Sequence, residues 1–168
     1  TIMSQIAILG TGLMGSAVAR CLRTAGFGVH LWNRSIERAL PLAEAGAIVH
    51  DTAEAAVNAA DVVILLMLNH TIARLVLERC ALSLRGRDVL DLMTGGMQEA
   101  REFSDLLATA HGFYLKGAIQ CFPGAIGTGD ALIYASGDEA VWARRQLLLQ
   151  AISPAIRYLG PRIDSCAI

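Results

Sequence analysis

The chain has 168 residues, of which 54% are apolar and only 17% charged, and its formal net charge is −1 at pH 7. This length suits one domain with a single buried core, and the nearly neutral charge argues against a nucleic-acid-binding protein. The longest apolar run, residues 62–68, is too short to cross a membrane, so we expect no membrane contact. The apolar excess indicates a parallel sheet covered on both faces, or a surface that packs against a partner.

The first feature along the chain is an apolar strand, predicted over residues 6–9, that leads through a glycine-rich turn into a helix predicted over residues 16–25. The turn consists of Gly10, Thr11, Gly12, Leu13, Met14 and Gly15. In a dinucleotide site the first glycine permits the tight turn, the second lets a pyrophosphate approach the backbone, and the third lets the helix pack on the strand. The helix N-terminus then directs its free N–H groups at the phosphates. Glycines alone can simply make turns, but here strand, glycines and helix follow in the required order.

A second strand, predicted over residues 28–32, is followed by polar residues at the point where such sites recognise the ribose. An NAD site usually has a carboxylate there, which binds the ribose 2′-hydroxyl and would repel a 2′-phosphate. This chain has Asn33, Arg34 and Ser35, with Arg38 one turn further on. An amide, a hydroxyl and guanidinium groups suit a phosphate, so we predict NADP(H) as the cofactor. The alternative is that Ser35 caps a helix predicted over residues 35–45 while Arg34 is solvated, and both roles of Ser35 are compatible.

The rest of the chain alternates strands and helices, which predicts a doubly wound, mostly parallel α/β sheet with helices on both faces. Further strands are predicted over residues 46–50, 61–68, 88–92, from 113, 131–135 and 156–159, and helices from 51 and over 72–80, 98–110 and 139–149. Because ligands bind beyond the carboxyl ends of parallel strands, we expect residues 67–69 to face the cofactor and predict Met67, Leu68 and Thr94 on the ribose and nicotinamide side.

Several reactive side chains are isolated in the sequence and do not form a recognisable motif for a site. The four cysteines lack any metal-like spacing and are predicted to be reduced thiols, and we predict no metal site. His70, just past the strand at 61–68, is interpreted as a capping or solvated residue. Lys116 is the only lysine in the chain, and we interpret it as a strand-end charge that reaches solvent rather than as a catalytic group.

Taken together, these motifs make the chain resemble the N-terminal cofactor domain of the β-hydroxyacid dehydrogenases and imine reductases, relatives of 6-phosphogluconate dehydrogenase. The resemblance covers nearly the whole chain, and its matching segments are residues 10–15, 32–35, 54–63, 91–94 and 131–139. It implies a Rossmann fold that binds NADP(H), in an enzyme that delivers hydride to a C=N or C=O carbon of a small-molecule substrate.

One segment distinguishes the two subfamilies. Hydroxyacid dehydrogenases have Ser-Gly-Gly after the sixth strand to bind the substrate carboxylate, whereas this chain has Gln120, Cys121 and Phe122. The neighbouring residues 114–119, with Pro123, are similar to the imine reductases instead, although Lys116 stands where those enzymes usually have Asp. The resemblance therefore favours an imine-reductase-like domain with residues 120–122 at the substrate edge. A β-hydroxyacid dehydrogenase and a non-catalytic NADP-binding or assembly module are the alternatives.

The family also has a C-terminal helical domain, which follows a long helix and completes the site across a dimer. The proton-transfer residues of the family lie on that helix, and this chain ends at Ile168, about where the helix would begin. We therefore expect residues 1–168 to form one NADP-binding Rossmann domain without the helical domain, and we assign no catalytic residue. We also expect a homodimer, or a partner that covers the apolar surface, and a cytoplasmic location because no secretory signal is recognisable.

Overall fold

A computed structural model describes residues 3–167 of the chain. In these residues, strands and α-helices alternate along the chain, except that the strand Phe113–Ile119 is followed by the strand Ile133–Gly137 without an α-helix between them. Their bounds are β1 Gln5–Leu9, α1 Leu13–Thr24, β2 Gly28–Trp32, α2 Leu40–Ala43, β3 Ile48–Val49, α3 Ala53–Asn58, β4 Val62–Leu65, α4 His70–Arg79, β5 Asp88–Asp91, α5 Met97–Thr109, β6 Phe113–Ile119, β7 Ile133–Gly137, α6 Glu139–Ile152 and β8 Arg157–Tyr158. Single turns of 3₁₀-helix lie at Ile36–Arg38, Pro123–Ala125 and Ile163–Cys166.

All the strands form one sheet, in the order β3-β2-β1-β4-β5-β6-β7-β8. Strands β1 to β6 run parallel to one another, β7 is antiparallel to β6, and β8 is parallel to β7. The chain builds outward from β1 to β3 and then returns to place β4 on the other side of β1. The predicted doubly wound, mostly parallel Rossmann fold is confirmed, and its strand order reverses between β1 and β4, where such folds bind their ligands.

The central strands of the sheet are buried on both faces, which is why most of their residues are apolar. Along β1, Ile6 and Ile8 pack on the face covered by α1 and α6. The alternate residues Ala7 and Leu9 pack on the opposite face, under α3, α4 and α5. Neither face of β1 is left to solvent, so the predicted covered sheet is observed.

The helix predicted over residues 35–45 is wrong in its length. A 3₁₀ turn at Ile36–Arg38 is followed by the short helix α2, with Pro41 in its first turn. Proline has no backbone N–H with which to continue a helix from the preceding turn, but it is tolerated at a helix start. The capping role considered for Ser35 is also wrong, because its side chain forms no capping hydrogen bond to the 3₁₀ turn.

Two of the isolated side chains are less exposed than predicted, since Lys116 is buried and His70 is half-buried. Strand β6 continues to Ile119, so Lys116 lies in its middle with only 1% of its surface exposed, and the prediction of a solvent-reaching charge is wrong. His70 opens α4, but the side chain of Asn69 caps the helix. The His70 ring packs against Phe103 instead, with 5.6 Å between the ring centroids.

A histidine pair, formed by His30 on β2 and His50 directly after β3, is expected to make stability depend on pH. His30 of β2 is buried, and its Nδ1 lies 2.9 Å from Nε2 of His50 while its Nε2 lies 3.0 Å from Oε1 of Gln5. Burial, together with the neighbouring His50, lowers the pKa of His30 from its ordinary value of 6.5. The unfolded chain therefore takes up a proton at a higher pH than the native protein does.

We expect the free energy of unfolding to fall as the pH is lowered from 7.5 through 6.5, the ordinary pKa of His30, and to level off below its native pKa. Urea unfolding across this range measures the effect. The variant His30→Gln, which does not titrate, is the control and should lose this part of the pH dependence. An unchanged pH profile in that variant would show that other groups cause it.

Candidate functional site

The glycine turn between β1 and α1 has a backbone that only glycine fits. Gly10 has φ of +110°, and a Cβ added there would lie 2.5 Å from the carbonyl oxygen of Leu66. At Gly15, an added Cβ would lie 2.0 Å from the carbonyl oxygen of Gly10. Both contacts are to backbone atoms, which cannot move aside as a side chain can. The first and third glycines therefore let strand, turn and helix approach one another.

The second glycine lies on the open side of the same turn. Gly12 is the N-cap residue of α1, and a Cβ added to it would meet no atom within 4 Å. The first turn of α1 contains no acidic residue, and no side chain caps its backbone N–H groups. A helix N-terminus of this kind favours a negatively charged ligand group. The space over Gly12 and the bare helix end thus fit a pyrophosphate.

The end of β2 is tied to this turn by one side chain. Asn33 accepts a hydrogen bond from the backbone N–H of Thr11 at 3.0 Å and donates one to the carbonyl of Ser35 at 2.8 Å. Its amide therefore holds the glycine turn against the loop after β2. Sequence reasoning places Asn33 among the phosphate-binding residues and misses this contact, because the two segments are far apart in the chain.

A cavity of about 460 Å³ opens at this carboxyl edge of the sheet. Its volume is in the range of small-molecule and cofactor sites. It is lined by Gly12, Leu13, Met14, Gly15, Trp32, Asn33, Arg34, Ser35, Arg38, Leu66, Met67, Leu68, Asn69, Ile72 and Pro123. The glycine turn and the polar loop after β2, predicted separately, therefore line one cavity, together with Met67 and Leu68 from the loop after β4.

The charged side chains that line this cavity are all positive. Arg34 and Arg38 are exposed and contribute two guanidinium groups, and the described residues that line the cavity include no carboxylate. Neither arginine forms an ion pair within residues 3–167. Their donors are therefore available to an anionic ligand, and Arg can bind a phosphate through two parallel N–H groups.

The remaining predicted residues lie outside this cavity. Gly10 and Thr11 form the turn but do not line the cavity. Thr94 and Gln120 line a second, much smaller cavity of about 20 Å³, into which Lys116 also projects. Cys121 and Phe122 line neither of these cavities, and Phe122 is 87% exposed. The structure thus separates Thr94 and residues 120–122 from the larger cavity, although Pro123, the next residue, lines it.

Sequence reasoning missed four residues that line the larger cavity, namely Trp32, Leu66, Ile72 and Pro123. Trp32 and Leu66 could have been found, because each lies at the carboxyl end of a parallel strand, where ligands bind. No pattern in the sequence marks Ile72 or Pro123. Both line the cavity because the fold brings their segments to this edge of the sheet.

Residues 5–160 match a protein-family model described as the NAD binding domain of 6-phosphogluconate dehydrogenase. The chain belongs to this family. It is an NAD(P)-binding domain.

Relatives of this NAD-binding domain include both enzymes and a protein named for another role. The chain is 32% identical to an NADPH-dependent reductive aminase of Aspergillus oryzae, over 93% of this chain and 51% of the relative. It is 28% identical to the cytokine-like nuclear factor N-PAC of Drosophila melanogaster, over 95% of this chain and 27% of the relative. A solved structure of an imine reductase from Pseudomonas sp. superposes with a TM-score of 0.94 at 29% identity, covering 98% of this chain and 58% of that one.

The chain therefore spans about half the length of the reductase relatives it matches. Within residues 3–167 of this NAD-binding domain, no helix is long and apolar enough to cross a membrane. The same residues contain no cluster of three or more His, Cys, Asp or Glu side chains that could hold a metal ion.

Proposed function

We propose that this chain is the NADPH-binding Rossmann domain of an imine-reductase-like oxidoreductase. The observation that carries the proposal is the single cavity that joins the bare N-terminus of α1 to the two unpaired guanidiniums after β2. A dinucleotide with an additional phosphate has anionic groups at both of these places. The names of an NADPH-dependent reductive aminase and an imine reductase among its relatives support the same assignment.

In this proposal the glycine turn and the start of α1 hold the pyrophosphate, and the loop after β2 holds the 2′-phosphate. The pyrophosphate residues are Gly10, Thr11, Gly12, Leu13, Met14 and Gly15. Arg34, Ser35 and Arg38 contact the 2′-phosphate directly, while Asn33 supports them by fixing the loop against the turn.

The nicotinamide side is assigned to Met67, Leu68 and Thr94, and the substrate edge to Gln120, Cys121 and Phe122. NADPH would supply the hydride, and the domain's share is to orient the nicotinamide and to exclude water beside it. The substrate is a small molecule with a C=N or C=O bond. No catalytic residue is assigned to this chain.

Arg34→Ala tests the phosphate assignment. We expect it to weaken NADPH binding by about 2 kcal/mol, the worth of a charge-assisted hydrogen bond to phosphate, and to leave NADH binding nearly unchanged. Titration of both dinucleotides by calorimetry measures the difference. Arg85→Ala is a matched control, because Arg85 is exposed and lines neither cavity. Equal weakening of the two cofactors would contradict the role of Arg34.

Two other functions are compatible with the fold. A β-hydroxyacid dehydrogenase is disfavoured because residues 120–122 lack the Ser-Gly-Gly of that subfamily. A non-catalytic NADP-binding or assembly module is supported by the relative named as a nuclear factor. NADPH binding measured together with turnover on cyclic imines and hydroxyacids tests these readings. Turnover would identify the substrate class, and tight binding without any turnover would contradict a free-standing enzyme.

The domain organisation and surroundings of the chain are also proposals. We propose one Rossmann domain that is completed by a helical domain outside residues 1–168, with a homodimer, or a partner over the apolar surface, as its assembly. A cytoplasmic location is proposed from the sequence alone. Analytical ultracentrifugation of the chain tests the homodimer.

A further inference from the structure

A pair of opposite charges lies buried inside the sheet, where it plays no part in the cofactor cavity. Asp91 on β5 and Lys116 on β6 face each other in register, are 0% and 1% exposed, and have Nζ and Oδ2 3.5 Å apart. The hydroxyl of Tyr114 donates a hydrogen bond to Oδ2 of Asp91 at 2.6 Å. Burying two charges removes them from water at a cost that their attraction often fails to recover. Stability alone is therefore a weak explanation for the pair.

The pair binds both backbone groups of one residue. Oδ1 of Asp91 accepts a hydrogen bond from the backbone N–H of Met93 at 3.0 Å. Nζ of Lys116 donates to the carbonyl of the same Met93, and to the carbonyl of Gly117 at 3.0 Å. The orientation of the Met93 peptide groups is thus determined by the two charged side chains together.

Met93 lies in the loop from β5 to α5, residues 92–96, and directly precedes Thr94, Gly95 and Gly96. Two consecutive glycines give this loop more backbone freedom than other residues would. The half-buried His70 ring also lies against this loop, since a Cβ added to Gly95 would lie 2.4 Å from its Nε2, an atom that is buried. The loop is therefore contacted both by the charged pair and by His70.

Thr94 connects this arrangement to the site. Lys116, Thr94 and Gln120 line the same small cavity, so the ammonium lies next to residues assigned to the nicotinamide side and the substrate edge. We propose that Lys116 and Asp91 are positioning residues, which fix Met93 and thereby place Thr94 for the nicotinamide half of NADPH. This inference rests on the proposed cofactor function and adds a specific means of holding the loop.

The test uses two ligands that differ at the nicotinamide end. NADPH carries both halves of the dinucleotide, whereas adenosine 2′,5′-bisphosphate lacks the nicotinamide mononucleotide half and contacts only the loop after β2 and, through its 5′-phosphate, the glycine turn. In the variant Lys116→Met, which keeps the length of the side chain and removes its charge, we expect the dissociation constant for NADPH to rise about tenfold. The dissociation constant for the bisphosphate should stay within about twofold, because its binding residues are untouched.

A second variant keeps the test informative if Lys116→Met does not fold. Lys116→Met alone leaves Asp91 buried without its partner, whereas Lys116→Met combined with Asp91→Leu replaces the whole pair by apolar side chains, a change that buried ion pairs often tolerate. This double variant should show the same selective loss of NADPH binding. Tyr114→Phe is the matched control, because it removes a bond to Asp91 but keeps both bonds to Met93, and its NADPH affinity should not change.

The fluorescence of bound NADPH provides a readout that a purely structural role would not alter. We expect the emission of the bound nicotinamide to shift toward that of free NADPH in both Lys116 variants and to stay unchanged in Tyr114→Phe. Equal loss of both ligands, or unchanged binding of both in the folded double variant, would overturn the positioning role. If the unaltered chain binds neither ligand, the proposed cofactor function fails, and this inference fails with it.

Discussion

Gly15→Ala is expected to abolish measurable NADPH binding and to lower the free energy of unfolding by about 3 kcal/mol. The added Cβ would lie 2.0 Å from the carbonyl oxygen of Gly10, so α1 would have to move away from the turn that it starts from. That movement also withdraws the helix N-terminus from the pyrophosphate. Urea unfolding measures the first effect, and calorimetric titration with NADPH measures the second.

Gly12→Ala is the comparison that separates binding from folding. Its Cβ meets no protein atom within 4 Å, so the stability of the free chain should not change. Because the pyrophosphate is proposed to approach the backbone there, the methyl group should still weaken NADPH binding by about 2 kcal/mol. Unchanged affinity in a stable Gly12→Ala variant would mean that the phosphates do not lie over this turn.

Asp88→Ala is expected to have the largest effect on stability away from the cavity, about 3 kcal/mol. Asp88 begins β5 and is 2% exposed. Its carboxylate accepts two hydrogen bonds from Arg144, at 2.6 and 3.2 Å, and one from Arg145 at 2.7 Å. Removing it leaves Arg145, whose side chain is only 14% exposed, without its anionic partner, and removes the ion pairs that join α6 to β5.

The matched control for Asp88 is an acidic residue in an exposed pair. Glu78 lies 3.4 Å from Arg74 one turn earlier on α4, and both side chains are nearly half exposed. Glu78→Ala should change the free energy of unfolding by less than about 0.5 kcal/mol, because solvent screens such pairs. Thermal or urea unfolding of the two variants side by side makes the comparison. Similar losses in both would indicate that burial of Asp88 is not what makes its ion pairs stabilising.

Much of the fold is predictable from the sequence because its signals are local. A run such as Val62–Leu65 is apolar at every position, as expected for a strand buried on both faces, and Gly28–Trp32 is found with the predicted bounds. The glycine turn and Arg34 likewise depend on residues close together in the chain. The alternation of these strands with helices then determines the class of fold.

The features that could not be predicted depend on residues far apart in the chain. Lys116 is buried because the register of β5 and β6 places it opposite Asp91, and no local pattern reveals that partner. Asn33 meets Thr11 only once β1 and β2 pair. The loop that carries residues 120–122 is positioned by distant backbone contacts, such as the hydrogen bond from Gln120 to the carbonyl of Leu132.

The link from Asn33 to the glycine turn has a consequence for changing cofactor preference. Arg34, Ser35 and Arg38 are exposed, so exchanging them can alter selectivity without disturbing the protein around them. Asn33 cannot be exchanged so freely, because its amide serves the turn and the loop at once. In the proposed cofactor site, the glycine turn and the loop after β2 can therefore be altered separately, except at Asn33, which contacts both. A redesign that makes the site prefer NADH should keep Asn33. It should place the carboxylate that binds the ribose 2′-hydroxyl at a later position in the loop after β2.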